Sequence, residues 1–341
     1  MIMKKMTLGV SLILVLALAL AACGGSDSSD SYGSLSNPQG SPQGSPQSNP
    51  PVSPAGNPQS PTPGGAVDIG TVGVPMSDFD TTKSISIVAR EDGSGTKTAF
   101  MEIIGLKGKA DPANAIVQTG TAGVLTEVSG NPAAIAYESL GYVTNSVKIL
   151  KVDGVTAAVD NIKSGSYKIS RPLSVVYKGS SLSNEVNAAF YAFLQSGDAQ
   201  AIISSNGYVP VVDNAPAYTI NGSLSGTIDI SGSTSLQPLM TELAEVFEGL
   251  QKNISVTVGG GGSGTGYKNA DEGVSEFGMI SEEFNIEKAP SCTDMVVCKD
   301  GIAVIVHKDN PLDSITMEQL KNIYDVEAEA DAITKWDSLI K

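Results

Sequence analysis

From Ile85 onward the chain alternates apolar and polar positions: Ile85, Ile87 and Ala89 share one face of a two-residue period, which predicts a strand. It then runs through Arg90-Glu91-Asp92-Gly93-Ser94-Gly95-Thr96 into Ala99, Phe100, Ile103 and Ile104, whose spacing predicts a helix with a buried side. That succession of strand, small-residue loop and helix recurs. Ile228 and Ile230 lead through Gly232-Ser233-Thr234-Ser235 into Leu236, Leu239, Met240, Leu243, Ala244 and Phe247, with Pro238 in the first helical turn, where a missing N–H costs nothing. Ile254, Val256 and Val258 lead through Gly259-Gly260-Gly261-Gly262-Ser263-Gly264-Thr265-Gly266 into a polar helix from Tyr267. Such loops leave backbone N–H groups and hydroxyls at helix starts, where an oxyanion can dock. For one loop alone, helix capping by Ser233, Thr234 or Ser235 is the plainer reading. Three loops of one design favour a shared site.

Between these units the pattern is sparser. A further small-residue loop at 120–123 precedes Val124, Leu125 and Val128 at helical spacing, and Ala134, Ile135 and Ala136 form a short strand ahead of Tyr137. Residues 153–168 read as an exposed helix and turn, 173–177 as a strand, and 186–194 as a helix burying Phe190 and Phe193. Residues 213–226, rich in Asn, Ser, Gly and Pro, read as a joint. Later come a short strand at Phe277-Gly278-Met279-Ile280-Ser281, an apolar strand over 301–307 and a helix over 315–324.

The 341 residues, 41% hydrophobic and 17% charged, suffice for two α/β domains. The net charge of −15 argues against nucleic acid and against docking on anionic lipid through a basic patch, yet permits an anionic ligand held by local amides and hydroxyls. One histidine and three cysteines offer little for a metal centre, and none is expected, nor any cofactor. His307, on an apolar strand without a serine or cysteine at catalytic spacing, reads as structural, so no enzyme is expected.

The first residues set the compartment. Lys4 and Lys5 precede an apolar run over 8–20 that falls short of a bilayer span, followed by Leu20-Ala21-Ala22-Cys23. This reads as a signal peptide over 1–22 that resembles a bacterial lipobox, with Cys23 as the lipidated residue. Residues 23–66, with repeated Gly-Ser-Pro-Gln, read as a disordered tether. Outside the cytoplasm, Cys292 and Cys298 lie close enough in sequence to be expected as a local disulfide on a hairpin-like segment.

Taken together, the stretches Ile230-Ser231-Gly232-Ser233-Thr234-Ser235, Gly261-Gly262-Ser263-Gly264-Thr265-Gly266, Phe277-Gly278-Met279-Ile280-Ser281, Asp300-Gly301-Ile302-Ala303-Val304-Ile305-Val306 and Arg90-Glu91-Asp92-Gly93-Ser94-Gly95-Thr96 resemble the extracytoplasmic phosphate-binding lipoprotein of phosphate ABC transporters. The resemblance runs over 84–341. It implies an α/β, two-lobed fold of the periplasmic-binding-protein type II kind with crossing hinge strands. The usual order is reversed: the Gly-Ser-Thr-Ser half comes last, and the closing stretch Ile333-Thr334-Lys335-Trp336-Asp337 would in that family lead into the strand at Ile85. This implies a circular permutation joined through 213–226, with a truncated tandem array or a split protein as the alternative. One lobe would comprise 84–170 plus 304–341, the other 171–303.

Carried over by motif, Ser233, Thr234, Ser235, Ser263 and Ser281 would face phosphate from one lobe, and Arg90, Ser94, Gly95 and Thr96 from the other, with Asp92 orienting Arg90. Ser263 is the residue expected to matter most in the glycine run. Without the resemblance, Arg90 reads equally well as a surface ion pair with Glu91 or Asp92. Relatives carry Ser-Ser-Arg where this chain has Ile280-Ser281-Glu282-Glu283. Glu282 is then either a carboxylate that accepts the proton of phosphate and so repels sulfate, or a solvated rim residue. The implied function is capture of inorganic phosphate at the membrane surface, lipid-anchored outside the cytoplasm, and delivery to permease subunits. Another tetrahedral oxyanion is the near alternative, and a surface adhesin or sensor on the same fold the distant one.

Overall fold

A computed structural model describes residues 79–340. The signal peptide, Cys23 and the tether lie outside them. The chain opens with β1 (Ser86–Arg90), α1 (Gly95–Ile103), β2 (Ile116–Gln118), α2 (Gly120–Gly130) and β3 (Ala134–Ser139); β1, α1 and β3 follow the sequence pattern, whereas β2 is unexpected and the small-residue stretch 120–123 is the first turn of α2 rather than a loop. Then come β4 (Val147–Ile149), β5 (Lys151–Val152), α3 (Val159–Lys163), β6 (Ser170–Lys178), α4 (Glu185–Leu194), α5 (Gly197–Ser205) and β7 (Val209–Pro210). The last stretch holds β8 (Gly226–Gly232), α6 (Gln237–Leu250), β9 (Ile254–Gly259), α7 (Ser263–Glu272), β10 (Phe277–Ile280), β11 (Cys292–His307), β12 (Ser314–Ile315) and α8 (Met317–Tyr324).

One mixed sheet runs β2-β1-β3-β11-β6-β10-β8-β9, with β4 and β7 also pairing with β11. β1 lies parallel to β2 and β3, and β8 parallel to β9 and β10, as strand–loop–helix units require. Two main hydrophobic cores flank this sheet. The first gathers Ile87, Phe100, Val128, Tyr137, Ile169, Ile302 to Val306 and Trp336. The second gathers Leu173, Phe190, Phe193, Met240, Phe247, Phe277 and Val297, and each of its buried phenylalanines is worth about 1.5–3 kcal/mol of burial. The antiparallel pair β6 and β11 passes from one core into the other. At that passage Arg171 and Asp300 stand opposite each other in register as a buried ion pair at 3.2 Å.

β11 corrects the expected hairpin. Cys292 and Cys298 lie on one sixteen-residue strand, opposite Lys178 and Leu173 of β6, and both are free and buried. Six strand residues span about 20 Å, far beyond what a disulfide bridges. The apolar run over 301–307 is only the second half of that strand; its first half pairs in the other core. Residues 153–168 also form less helix than expected: only α3 is helical, anchored by Ile162.

The last described segment returns to the first. The Ile85 N–H donates to Thr334 O at 2.8 Å, the Trp336 N–H to Lys83 O at 3.2 Å, and the Trp336 indole to Ala133 O at 3.1 Å. Trp336 is fully buried there.

Candidate functional site

Four helix starts converge where the two cores meet. α1 begins at Gly95 behind its N-cap Ser94, whose hydroxyl accepts the Lys97 N–H at 3.3 Å. α7 begins at Ser263, α2 at Gly120 beside Thr121, and α6 follows the Ser233-Thr234-Ser235 loop. A helix start leaves N–H groups without intrahelical partners and carries the positive end of the helix dipole. Four in one place make a region of positive potential with no cation involved.

The hydroxyls there bond one another, Thr96–Ser235 and Thr121–Thr234 across the cores and Ser263–Ser281 within one side. Thr96 and Ser235 are 2.9 Å apart, Ser263 and Ser281 3.2 Å, and Thr121 and Thr234 3.3 Å. Ser263 also accepts the Ser281 N–H at 3.0 Å. Ser233 accepts the N–H groups of Ser235 and Leu236, which folds its loop into a cap. Ser94 and Ser233 thus use their oxygens as acceptors and keep a hydroxyl proton to donate. Backbone contact is equally close: the Gly264 N–H donates to Gly93 O at 3.0 Å. A Cβ on Gly95 would collide with Ser263 Oγ and lie 2.8 Å from Ser281 Oγ.

Arg90, at the end of β1, supplies the full charge. Its guanidinium is 1% exposed, which removes the surface-pair reading. Nε and Nη2 hold Glu91 in a two-point pair at 2.9 and 3.0 Å, Nη1 reaches Glu138 at 3.1 Å and Thr121 at 3.4 Å, and Nη2 reaches Thr234 at 3.0 Å. Burial works against the charge, but Glu91 and Glu138 outweigh it and hold Arg90 above its usual range. The structure therefore brings together Arg90, Gly95, Thr96, Thr234, Ser235, Ser263 and Ser281, with Ser94 and Ser233 at the helix starts behind them.

Two expectations change. Asp92 does not orient Arg90: beyond the turn its fully exposed carboxylate pairs with Lys97 at 2.7 Å, and Glu91 takes the arginine instead. Glu282 is not a solvated rim residue: it is buried and accepts the Lys288 ammonium at 2.7 Å. It lines a cavity of about 930 Å³ between α1 and residues 282–288, beside the hydroxyl cluster and sharing Ser94 with it. Ser281 is held from behind, its carbonyl accepting Arg171 Nη1 at 2.8 Å.

Sequence reasoning missed Thr121 and Glu138. Thr121 sits in a fourth strand–loop–helix unit, Gln118-Thr119-Gly120-Thr121, that the periodicity marked only as small residues. Glu138 is a carboxylate at the end of the apolar strand Ala-Ile-Ala-Tyr-Glu-Ser, fully buried, and such a charge is itself a signal. Burial pushes its carboxyl up from the ordinary range, only partly offset by Arg90. Among the described residues, no group of three or more His, Cys, Asp or Glu is placed to hold a metal ion.

The chain as a whole is similar to known proteins. The chain matches the family model described as PBP superfamily domain over residues 77–198 and 218–341. It is 38% identical over 267 residues to phosphate-binding protein PstS 2 of Streptococcus agalactiae, covering 76% of this chain and 88% of that one. The crystal structure of a phosphate ABC transporter, phosphate-binding protein from Streptococcus pneumoniae TIGR4 aligns with a TM-score of 0.61 at 33% identity, over 75% of this chain and 100% of that one. Phosphate-binding protein PstS of Bacillus subtilis is 32% identical over 145 residues, 42% of this chain and 47% of that one. The chain belongs to the PBP superfamily, within the family of phosphate-binding proteins of phosphate ABC transporters.

Proposed function

We propose that this protein captures inorganic phosphate outside the cytoplasm and hands it to the permease of an ABC transporter. The observation that carries this is the meeting of four helix starts, their hydroxyls and the Arg90 guanidinium between two cores. Phosphate near neutral pH offers four oxygens to such donors: Thr96, Thr234, Ser235, Ser263 and Ser281 would replace their mutual hydrogen bonds with bonds to oxygen, and Arg90 would turn Nη2 from Thr234 to the anion. Backbone N–H groups of Gly95 and Thr96 complete the cradle. The two cores act as lobes, and β6 and β11 as the strands about which they open. Nothing in the chemistry is catalytic; the family is one of binding proteins.

The lipobox-like Cys23 would anchor the chain to the membrane, and the Pro/Ser/Gly/Gln segment would tether it. The reversed order of halves is read as a circular permutation. It is supported by the hydrogen bonds that bring 333–336 against 83–85. Calorimetric titration with phosphate, sulfate and molybdate tests the function: phosphate should bind tightly and preferentially, and absence of oxyanion binding would refute it.

A further inference from the structure

The charges around Arg90 do not balance. Facing one another in the buried region are two cations, Arg90 from β1 and Arg171 from β6, and three carboxylates: Glu91 after β1, Glu138 on β3 and Asp300 on β11. Asp300 is matched to Arg171 and Glu91 to the Nε edge of Arg90. Glu138 then shares an arginine that is already paired. It is fully buried, and the other groups in direct contact with it are neutral: Thr121 on α2 at 3.3 Å, the Ser139 N–H at 2.8 Å, and Ala303 of β11 opposite it in register, while Arg171 and Asp300 act on it from farther off with opposite signs. A dianion entering here would add two negative charges to a cluster already at −1, in surroundings that screen charge poorly.

We propose that Glu138 is a specificity-determining residue of the anion site, which makes oxyanion capture proton-coupled: the site takes up one anion together with one proton, held on Glu138. The inference rests on the oxyanion-binding reading of this site. A neutral Glu138 frees Arg90 Nη1 for the anion and offers its own O–H through Thr121, whose hydroxyl is also bonded to Thr234. An ionised Glu138 keeps that edge of the guanidinium for itself. Burial, which lifts the Glu138 carboxyl above its ordinary range, agrees with a group able to take up a proton. The consequence for selection is direct. The site favours an anion presented when a proton is available, and its affinity falls as the medium becomes alkaline, beyond what the ligand's own ionisation explains.

The test is calorimetric titration of the full chain with inorganic phosphate at pH 8.5, where free phosphate is a dianion, in two buffers of different ionisation enthalpy. The difference in apparent heat counts protons. The wild type should take up about one proton per phosphate, and affinity should fall about tenfold per pH unit through the coupled range. In Glu138→Gln, which keeps the shape and can donate but cannot titrate, uptake should fall toward zero and the pH dependence should flatten. A wild type that binds phosphate with no proton uptake overturns the inference and leaves the function standing. So does a Glu138→Gln protein with undiminished uptake, since the proton would then reside on the ligand or Asp300. If Glu138→Gln does not fold, Glu138→Asp, which keeps a carboxyl but withdraws it from Arg90, should shift the pH midpoint, and an unmoved midpoint also overturns it. A wild type that binds no oxyanion at all removes both readings.

Discussion

Gly95 sets how closely the two sides of the site approach. Any side chain there meets Ser263 and Ser281, yet the position is the first of a helix, where alanine is favoured over glycine. Gly95→Ala should therefore fold with an unchanged or slightly higher melting temperature while weakening phosphate binding about tenfold, because the added methyl either turns the Ser263 and Ser281 hydroxyls away from the anion or holds the lobes apart. Calorimetry alongside thermal melting separates these; equal affinity would mean that closure is not as tight as the hydroxyl pairs imply. Ser281 makes a milder case. Ser281→Ala removes one donor and leaves Ser263 without its partner, and should cost about 1–2 kcal/mol of binding with little change in stability, read by the same titration. At this scale the sequence was most informative where a residue type has few uses. Hydroxyls and glycines at helix starts named themselves. Asp92 misled because it stands in a motif position, whereas pairing depends on which carboxylate the Gly93 turn leaves inside, and that is Glu91. Glu138 was hidden because its partners come from β1 and α2, up to 48 residues away.

β6 and β11 carry the load between the cores, and Arg171 with Asp300 marks the crossing. Asp300→Asn leaves a buried guanidinium uncompensated and should destabilise the protein by about 3–5 kcal/mol, measured by denaturant unfolding. It should also loosen Ser281, whose carbonyl Arg171 holds. Replacing both partners with apolar residues of similar volume should recover much of that loss, and failure to recover would show the pair to be more than a charge match. Along the same strand, alkylation of denatured, unreduced protein should label both Cys292 and Cys298, and peptide mapping that finds them joined would contradict the strand. The strand–loop–helix units were legible because each is local: a two-residue period, a break and a helical period within twenty residues. β11 was not, since a strand buried in two cores has apolar stretches on either side of the polar crossing at Lys299 and Asp300, and that interruption reads like a turn. The pairing of 333–336 with 83–85 could be inferred only from a resemblance, because no local pattern announces which distant segments meet.

For the whole molecule, the buried carboxylates fix the sign of the pH dependence of stability. Burial raises Glu138 and Asp300 in the folded chain above ordinary carboxylate values, outweighing the arginines beside them. Between the ordinary value and the raised one, the folded protein binds more protons than the unfolded chain, so stability rises as pH falls through that window. Glu91 runs the other way. Burial would raise it, but Arg90 dominates and lowers it, so its contribution is present above the ordinary range and lost only as pH falls below it. The exposed pairs of Asp80 and Asp92 are likewise lowered by their hydrogen bonds and matter only in that acid range. The melting temperature, measured without phosphate because a bound anion would stabilise the fold by itself, should thus climb as pH falls from about 7.5 toward the ordinary carboxylate range and drop again below about 4. Glu138→Gln should flatten the climb without moving the acid limb, since the glutamine keeps the shape and one acceptor oxygen, for Arg90 Nη1 or for Thr121 and the Ser139 N–H, but binds no proton. A wild-type melting temperature that is level from pH 7.5 to 5, or a climb of equal slope in the variant, would mean that Glu138 is ionised in the fold at all these values and that Arg90 balances it after all.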